Sequence, residues 1–367
     1  MRTPFIALVA TFGLGLIAVA PLQAESSPPA TTTRKVVLER AEAGYRWKLI
    51  EAPVPSVGDH QVLVRVRAVA LNRGDLEILE PGGGRDYAGR VVASDAAGDV
   101  VAAGKAVRGI RHGQRVTSTY FRNWVDGPPS EEKLSAAHGS SIDGVLGDYI
   151  VLDDTAVAPI PHGLSYEEAA TLPTAGVTAW MASAGQHEIQ RGDVVLVQGT
   201  GGVSVFALQF AVASGARVIV TSSSDDKLRR VQALGAQGAI NYRTTPGWAD
   251  RVREMTGGHG ADLVIDVGGK ETLEQSVKSL AYRGTLSLVG GLTGYGGNIP
   301  ALGLMLKAAR AQGVYVGSRA DYLRMSAFIV EHRMHPVIDR VFPLEQYEAA
   351  LQHMASGNFV GKVILRL

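Results

Sequence analysis

Three glycines, Gly199, Gly201 and Gly202, stand directly after the apolar run Val194-Val195-Leu196-Val197 and before a helical pattern carrying Phe206, Leu208, Phe210 and Val212. Glycines there let the backbone approach a phosphate closely, and the following helix N-terminus, at Gly202-Val203, offers unpaired N–H groups to it. A second apolar run, Val218-Ile219-Val220, completes strand, turn, helix and strand, the context that makes the spacing a dinucleotide site. A site for NAD carries a carboxylate about 20 residues past the glycines to bond the ribose. Here the second strand ends Thr221-Ser222-Ser223-Ser224, and Lys227 follows. Hydroxyls and an ammonium suit a 2′-phosphate that a carboxylate would repel, so the pattern points to NADP(H). The alternative ribose ligand is Asp225, although Asp225-Asp226 also reads as the acidic first turn of the next helix.

The elements that must position these residues alternate from about residue 165 onward. Strands are expected near 194, 218, 239, 263, 285 and 314, with helices at 202–214, 225–235, 246–256, 271–282 and about 302–311. This is an α/β pattern for a doubly wound, parallel, six-stranded sheet. Ser165 with Glu168 forms a capping box for the helix leading into it. Residues 35–165 instead show short β runs (Val36–Leu38, Val62–Val69, Val91-Val92, Val100-Val101, Arg115–Thr119, Tyr149–Leu152) broken by glycines, as in a small β-barrel domain. Pro128 to Ile142 is polar and reads as a surface loop. Residues 319–367 are too few to fold alone and are expected to pack back on the first domain.

At 367 residues two domains are expected, and 36 basic against 35 acidic residues leave no electrostatic case for nucleic acid. The absence of cysteine excludes disulfides, thiolate catalysis and Cys-ligated zinc. His112, His138 and His259 read as solvated side chains, and no metal is expected. Residues 1–24 read as a signal peptide, with an apolar run from Phe5 to Ala20 and a cleavage site after Leu22-Gln23-Ala24. Residues 25–34 read as a disordered linker. The expectation is export to the periplasm or outside the cell. The alternatives are a retained membrane anchor or a misassigned start, either leaving a cytoplasmic enzyme where NADPH is plentiful.

The layout resembles the medium-chain dehydrogenase/reductase superfamily. Ala70-Leu71-Asn72-Arg73-Gly74-Asp75, Ser94-Asp95-Ala96-Ala97-Gly98, Leu172-Pro173-Thr174-Ala175-Gly176-Val177-Thr178, Leu234-Gly235-Ala236, Asn241-Tyr242-Arg243, Gly317-Ser318-Arg319 and Gly361-Lys362 carry the likeness in order. The resemblance implies a GroES-like domain over 35–165 completed by 319–367, a Rossmann domain over 166–318, and a site in the cleft between them. Positions that hold zinc in metal-dependent members match Asn72, Ser94 and Thr174, and the relay hydroxyl becomes Gly74. This chain therefore resembles the zinc-free, quinone oxidoreductase-like branch.

By the same likeness Thr178 lies near the nicotinamide, and backbone at Val289-Gly290-Gly291 and Val316-Gly317-Ser318 meets its carboxamide. Tyr242 and Arg243 join the 2′-phosphate, and the members commonly pair as homodimers. Ser204 stands where many members have a third glycine, either to bond the pyrophosphate or to loosen helix–strand packing.

Candidates to stabilise charge or donate a proton are Asn72 first, then Asp75, Tyr120 and Arg122, with solvent protonation of an enolate as the alternative. The expected activity is zinc-independent hydride transfer from NADPH to a small carbonyl compound, enone or quinone. The rivals are NADP-dependent alcohol oxidation and a catalytically retired NADPH-binding module.

Overall fold

Residues 31–80, 86–185 and 188–367 are described by a computed structural model, so the signal peptide expected over 1–24 lies outside the described residues. Its first strand, β1 (Thr32–Arg40), pairs antiparallel with β2 (Tyr45–Pro53). Thr32, Thr33 and Arg34 are thus strand residues and not linker. Arg34 is held by both oxygens of Asp148, and Thr33 Oγ1 accepts from the Tyr149 N–H.

The chain continues through β3 (Gln61–Ala70), α1 (Arg73–Glu77), β4 (Asp95–Ala103), β5 (Arg115–Ser118), α2 (Glu131–Leu134), β6 (Tyr149–Asp153) and β7 (Val157–Pro159). Alternate inward residues of β3 and its neighbours, Val62, Val64, Val66, Val100, Val116 and Leu152, close one apolar cluster. β2 and β7 escaped the pattern reading because β2 alternates with charged residues and β7 is only three residues long.

Two helices, α3 (Tyr166–Ala170) and α4 (Val177–Ser183), join the barrel to the second sheet, with a π-helical turn over Leu172–Gly176 between them. The Ser165–Glu168 capping box forms: Ser165 Oγ accepts from the Glu168 N–H at 3.1 Å, and Glu168 Oε2 accepts from the Ser165 N–H at 2.8 Å.

Then follow β8 (Val194–Gln198), α5 (Gly202–Ala213), β9 (Arg217–Ser222), α6 (Asp225–Ala233), β10 (Gly238–Asn241), α7 (Trp248–Met255), β11 (Ala261–Asp266), α8 (Leu273–Ser279), β12 (Leu280–Leu288), α9 (Ala301–Lys307) and β13 (Arg310–Gly313). The six strands are parallel in the order β10-β9-β8-β11-β12-β13. Strand order reverses between β8 and β11, and open α/β sheets bind ligands in the crevice at such a point. β8 is buried along its whole length, as its unbroken apolar run requires of a central parallel strand.

The sixth strand lies at Arg310–Gly313, not at the apolar Val314-Tyr315-Val316. An edge strand with one neighbour can be polar, and the apolar run instead turns into the cleft, with Val316 at φ 55. The helix expected over 302–311 stops at Lys307 to make room for it.

The tail forms α10 (Arg319–Glu331), β14 (Ile338–Pro343), α11 (Tyr347–Ala355) and β15 (Lys362–Arg366). β15 pairs antiparallel with β3, so the last strands belong to the barrel sheet. α10 departs from that expectation. Its Tyr322, Met325 and Ile329 enter the same apolar cluster as Val195, Val197 and Phe206 of the parallel sheet and α5.

Candidate active site

A cavity of about 910 Å³ runs from the glycine turn to α1 and contains most of the residues singled out from sequence. Gly199, Gly201, Gly202 and Val203 line it at the carboxyl end of β8. Gly199 has φ 74, the left-handed region that glycine enters without strain. At Gly202 a Cβ would lie 2.6 Å from Cδ of Lys362, so a larger residue would have to displace the buried lysine chain. Ser204 does not face the cavity with its hydroxyl: Oγ donates to the Gln198 carbonyl at 2.7 Å and is buried.

At the far end of the turn Ser222, Ser223, Lys227 and Tyr242 line the same cavity. Lys227 Nζ donates to the Gly357 carbonyl at 2.8 Å. Burial, and then the nearby Arg243 guanidinium, hold its amine below the ordinary lysine value. Two cations therefore converge on the strand end, although Arg243 itself stands outside the cavity lining. Ser224 is turned away as well. Its Oγ accepts from the Lys227 N–H at 3.4 Å and caps α6. Asp225, the alternative ribose ligand, accepts from Asn241 Nδ2 at 2.8 Å and does not line the cavity.

Thr178 lines the other end, with Oγ1 donating to the Thr174 carbonyl at 2.6 Å across the π-helical turn. Such turns widen a helix by one residue and recur at functional sites. Val289 and Gly290 line the cleft, but Gly317 and Ser318 do not. Ser318 caps α10, exchanging hydrogen bonds with Asp321, and Gly317 is pressed against Val177 and Met181. Val316, expected with them, does line the cleft, together with Val314 and Tyr315. Val316, a β-branched residue at positive φ, is held in a strained conformation beside the cavity.

The floor is a polar cluster. Asn72 Nδ2 donates to Ser94 Oγ at 3.3 Å, and Ser94 Oγ donates to Asp95 Oδ1 at 2.7 Å. Thr174 Oγ1 donates to the same Asp95 oxygen at 2.6 Å, and its backbone N–H to Oδ2 at 3.1 Å. Lys362 Nζ donates to Asn72 Oδ1 at 2.6 Å and to the Leu71 carbonyl at 2.5 Å.

Asp75 is buried below, accepting from the Asn72 N–H at 2.7 Å. Burial pushes its carboxyl up to about 7, the Asp95 charge adds to the rise, and the Asn72 N–H and the Lys362 ammonium oppose it. Tyr120 lines the cavity edge-on to Tyr315, with ring centroids 6.3 Å apart, and burial pushes its phenol well above the usual range.

Arg122 is not part of the site. It points away, 3.6 Å from Asp153 and bonded to Asn123. His138, expected to be solvated, is buried beside the cavity with Nδ1 2.8 Å from the Thr119 carbonyl, and burial holds it below the ordinary histidine value. Sequence reasoning missed Asp95 and Lys362 as parts of the floor. A usable signal was present in both: each is a charged residue that opens a strand and leads straight into apolar or small residues.

A barrel sheet and a parallel sheet that share one cleft, with a glycine turn at the carboxyl end of β8, are the architecture of a nicotinamide-dependent oxidoreductase, and the comparisons bear that class out. Residues 58–162 match the alcohol dehydrogenase GroES-like domain and residues 202–331 the zinc-binding dehydrogenase domain. The chain belongs to the medium-chain dehydrogenase/reductase superfamily.

It is 41% identical over 342 residues to a zinc-type alcohol dehydrogenase-like protein of Schizosaccharomyces pombe, covering 91% of this chain and 99% of that one. A putative alcohol dehydrogenase of Sinorhizobium meliloti superposes with a TM-score of 0.87 at 40% identity, over 92% of this chain and 99% of the other. An NAD-dependent alcohol dehydrogenase superposes with a TM-score of 0.81 at 32% identity, over 91% and 99%.

Zinc takes thiolate, imidazole or carboxylate ligands with lone pairs directed at the metal. Asn72, Ser94 and Thr174 supply an amide and two hydroxyls. Both hydroxyl hydrogens are committed to Asp95, and an ammonium occupies the amide oxygen. That donor set does not fit a zinc ion. Among the described residues no three His, Asp or Glu side chains converge as a metal site elsewhere.

Proposed function

We propose that the protein is a zinc-independent, NADPH-dependent reductase of a small carbonyl compound, enone or quinone. The observation that carries this reading is the Asn72–Ser94–Thr174 cluster. It puts an oriented amide, with no place for a metal, in the same cavity as the glycine turn. Preference for NADPH is supported by Ser222, Ser223, Lys227 and Tyr242 lining the end where a 2′-phosphate would lie, and by the engagement of Asp225 with Asn241. The glycine turn would hold the pyrophosphate, and Thr178 with the strand ends at Val289-Gly290 and Val314–Val316 would hold the nicotinamide. The reduced nicotinamide supplies the hydride.

The chain's own part is to orient the acceptor and to stabilise the negative charge that grows on its oxygen, which an N–H donor in a dry cleft does well. Asn72 is that donor. In this reading a solvent proton completes the product. Titrating nicotinamide fluorescence with NADPH and NADH, followed by turnover of quinones, enones and aldehydes and metal analysis of active protein, tests the reading. Activity that tracks bound zinc, or no NADPH-dependent fluorescence change, would refute it.

The names of the relatives favour a second reading, NADP-dependent alcohol oxidation through the same site. Product analysis in both directions separates the two. A homodimer is the assembly we propose, formed along the edge strand β13 beside the exposed Leu302, Met305 and Leu306 of α9, with light scattering of the purified protein as its check.

A further inference from the structure

Lys362 opens β15 and is only 3% exposed, the one charged side chain among the four buried residues of that strand. Its methylenes lie against Gly202 at the dinucleotide turn, and its amine ends on Asn72 Oδ1 and the Leu71 carbonyl. The backbone around it is pinned to the same turn, since the Gly361 N–H donates to the Thr200 carbonyl at 3.0 Å.

Burial lowers the Lys362 amine from its ordinary value, the Asp95 and Asp75 charges oppose that, and the amine donates to Asn72 through the amide oxygen. At the other side Ser94 has spent its hydrogen on Asp95, so toward Asn72 it can only accept. The buried carboxylate and the buried ammonium therefore fix the amide from opposite ends. One Nδ2 hydrogen goes to Ser94. The second has no acceptor among the described hydrogen bonds and belongs to a side chain that lines the cavity.

We propose that Lys362 is the positioning residue of this site, holding the Asn72 amide so that an N–H and never the carbonyl meets the substrate oxygen. The proposal rests on the reductase reading above. In the step it serves, the acceptor carbon gains a hydride and the C=O π pair moves onto oxygen. A solvent proton then completes the product, with NADPH oxidised to NADP+. In an enone the hydride arrives at the β-carbon and the enolate oxygen takes the same place. Without Lys362 the amide keeps only its 3.3 Å bond to Ser94 and presents its oxygen to the growing negative charge part of the time.

The test is a double-mutant cycle on kcat, using whichever of 9,10-phenanthrenequinone, 2-cyclohexenone and benzaldehyde the wild type reduces fastest. Asn72→Ala removes the donor and lowers kcat on the order of 10²-fold, the usual effect of losing one such group. Lys362→Met lowers kcat about tenfold or more, and Lys362→Arg restores part of that loss. In the Asn72→Ala background Lys362→Met costs nothing further, because a residue that acts only through Asn72 has nothing left to position.

Additive losses would overturn the proposal, as would an unchanged kcat in either single variant. A rise in the NADPH dissociation constant at constant kcat would overturn it too, by assigning Lys362 to the nucleotide. If Lys362→Met fails to fold by circular dichroism, Lys362→Gln enters the same cycle with the same expectations. A wild type that binds NADPH but reduces none of the three probes refutes the reductase reading, and the proposal falls with it.

Discussion

Ser204 donates its hydroxyl to the carbonyl of Gln198 at 2.7 Å, tying the first turn of α5 to the last residue of β8 across the glycine turn. The Ser204 hydroxyl thus braces the cradle from behind by its bond to the strand end. Ser204→Ala removes one buried hydrogen bond worth about 1 kcal/mol, and the melting temperature falls by roughly 2–4 °C. NADPH affinity, followed by nicotinamide fluorescence, changes by less than about threefold, since the lost bond touches no ligand. A tenfold weaker affinity would instead put the hydroxyl on the pyrophosphate.

Lys227 and Ser223 line the cavity at the end of β9 that we propose for the 2′-phosphate of NADPH. Lys227→Ala removes a charge-assisted contact, so the KM for NADPH rises about tenfold while that for NADH stays level. Ser223→Asp reverses the preference by placing a carboxylate against the phosphate and beside the ribose. Steady-state kinetics with both nucleotides decide this, and equal effects on NADPH and NADH would remove the phosphate assignment.

Asp75 gives the site a pH signature. Burial raises its carboxyl to about 7 in the folded protein, against about 4 in the unfolded chain. Between those values the native state keeps a proton that the unfolded state has released. Its contribution to stability is therefore full below about pH 4, declines as pH rises and is gone above about pH 7. Asp75→Asn removes that slope, because the substituted amide oxygen still accepts from the Asn72 N–H. Urea midpoints for both proteins from pH 4 to 8 are the measurement. Parallel curves would mean that Asp75 is ionised in the native cleft.

Tyr120 and Arg122 separate in the structure although they are two residues apart. Burial pushes the Tyr120 phenol up, which makes it a poor source of protons. Tyr120→Phe therefore lowers kcat by less than about fivefold, and the pH profile keeps its shape. Arg122→Ala breaks a partly exposed contact with Asp153, worth at most about 1 kcal/mol, and both KM values stay at the wild-type level. A loss of substrate binding in Arg122→Ala would return that side chain to the cleft.

The chain's local chemistry was enough to specify the strand–turn–helix at Gly199, the capping box at Ser165, the six-stranded parallel sheet and the hydroxyl-rich end of β9. Each of these is written in spacing over a few residues, through hydrophobic period, glycine conformation or a side chain bonding its own helix end. The family likeness brings Asn72, Ser94 and Thr174 to one site, and the side chains meet there.

Tertiary structure decided what those residues do with one another. Lys362 reaches Asn72 across 290 positions, Asp95 takes both neighbouring hydroxyls, Asp225 is claimed by Asn241, and Ser318 caps a helix instead of meeting the cleft. Hydrogen-bond direction in a buried network depends on which donors and acceptors the fold brings within 3 Å, and that convergence leaves no periodic trace in the chain. The edge strand at Arg310–Gly313 is legible only in the same way, because a polar strand with one neighbour is recognised by its partner and not by its own residues.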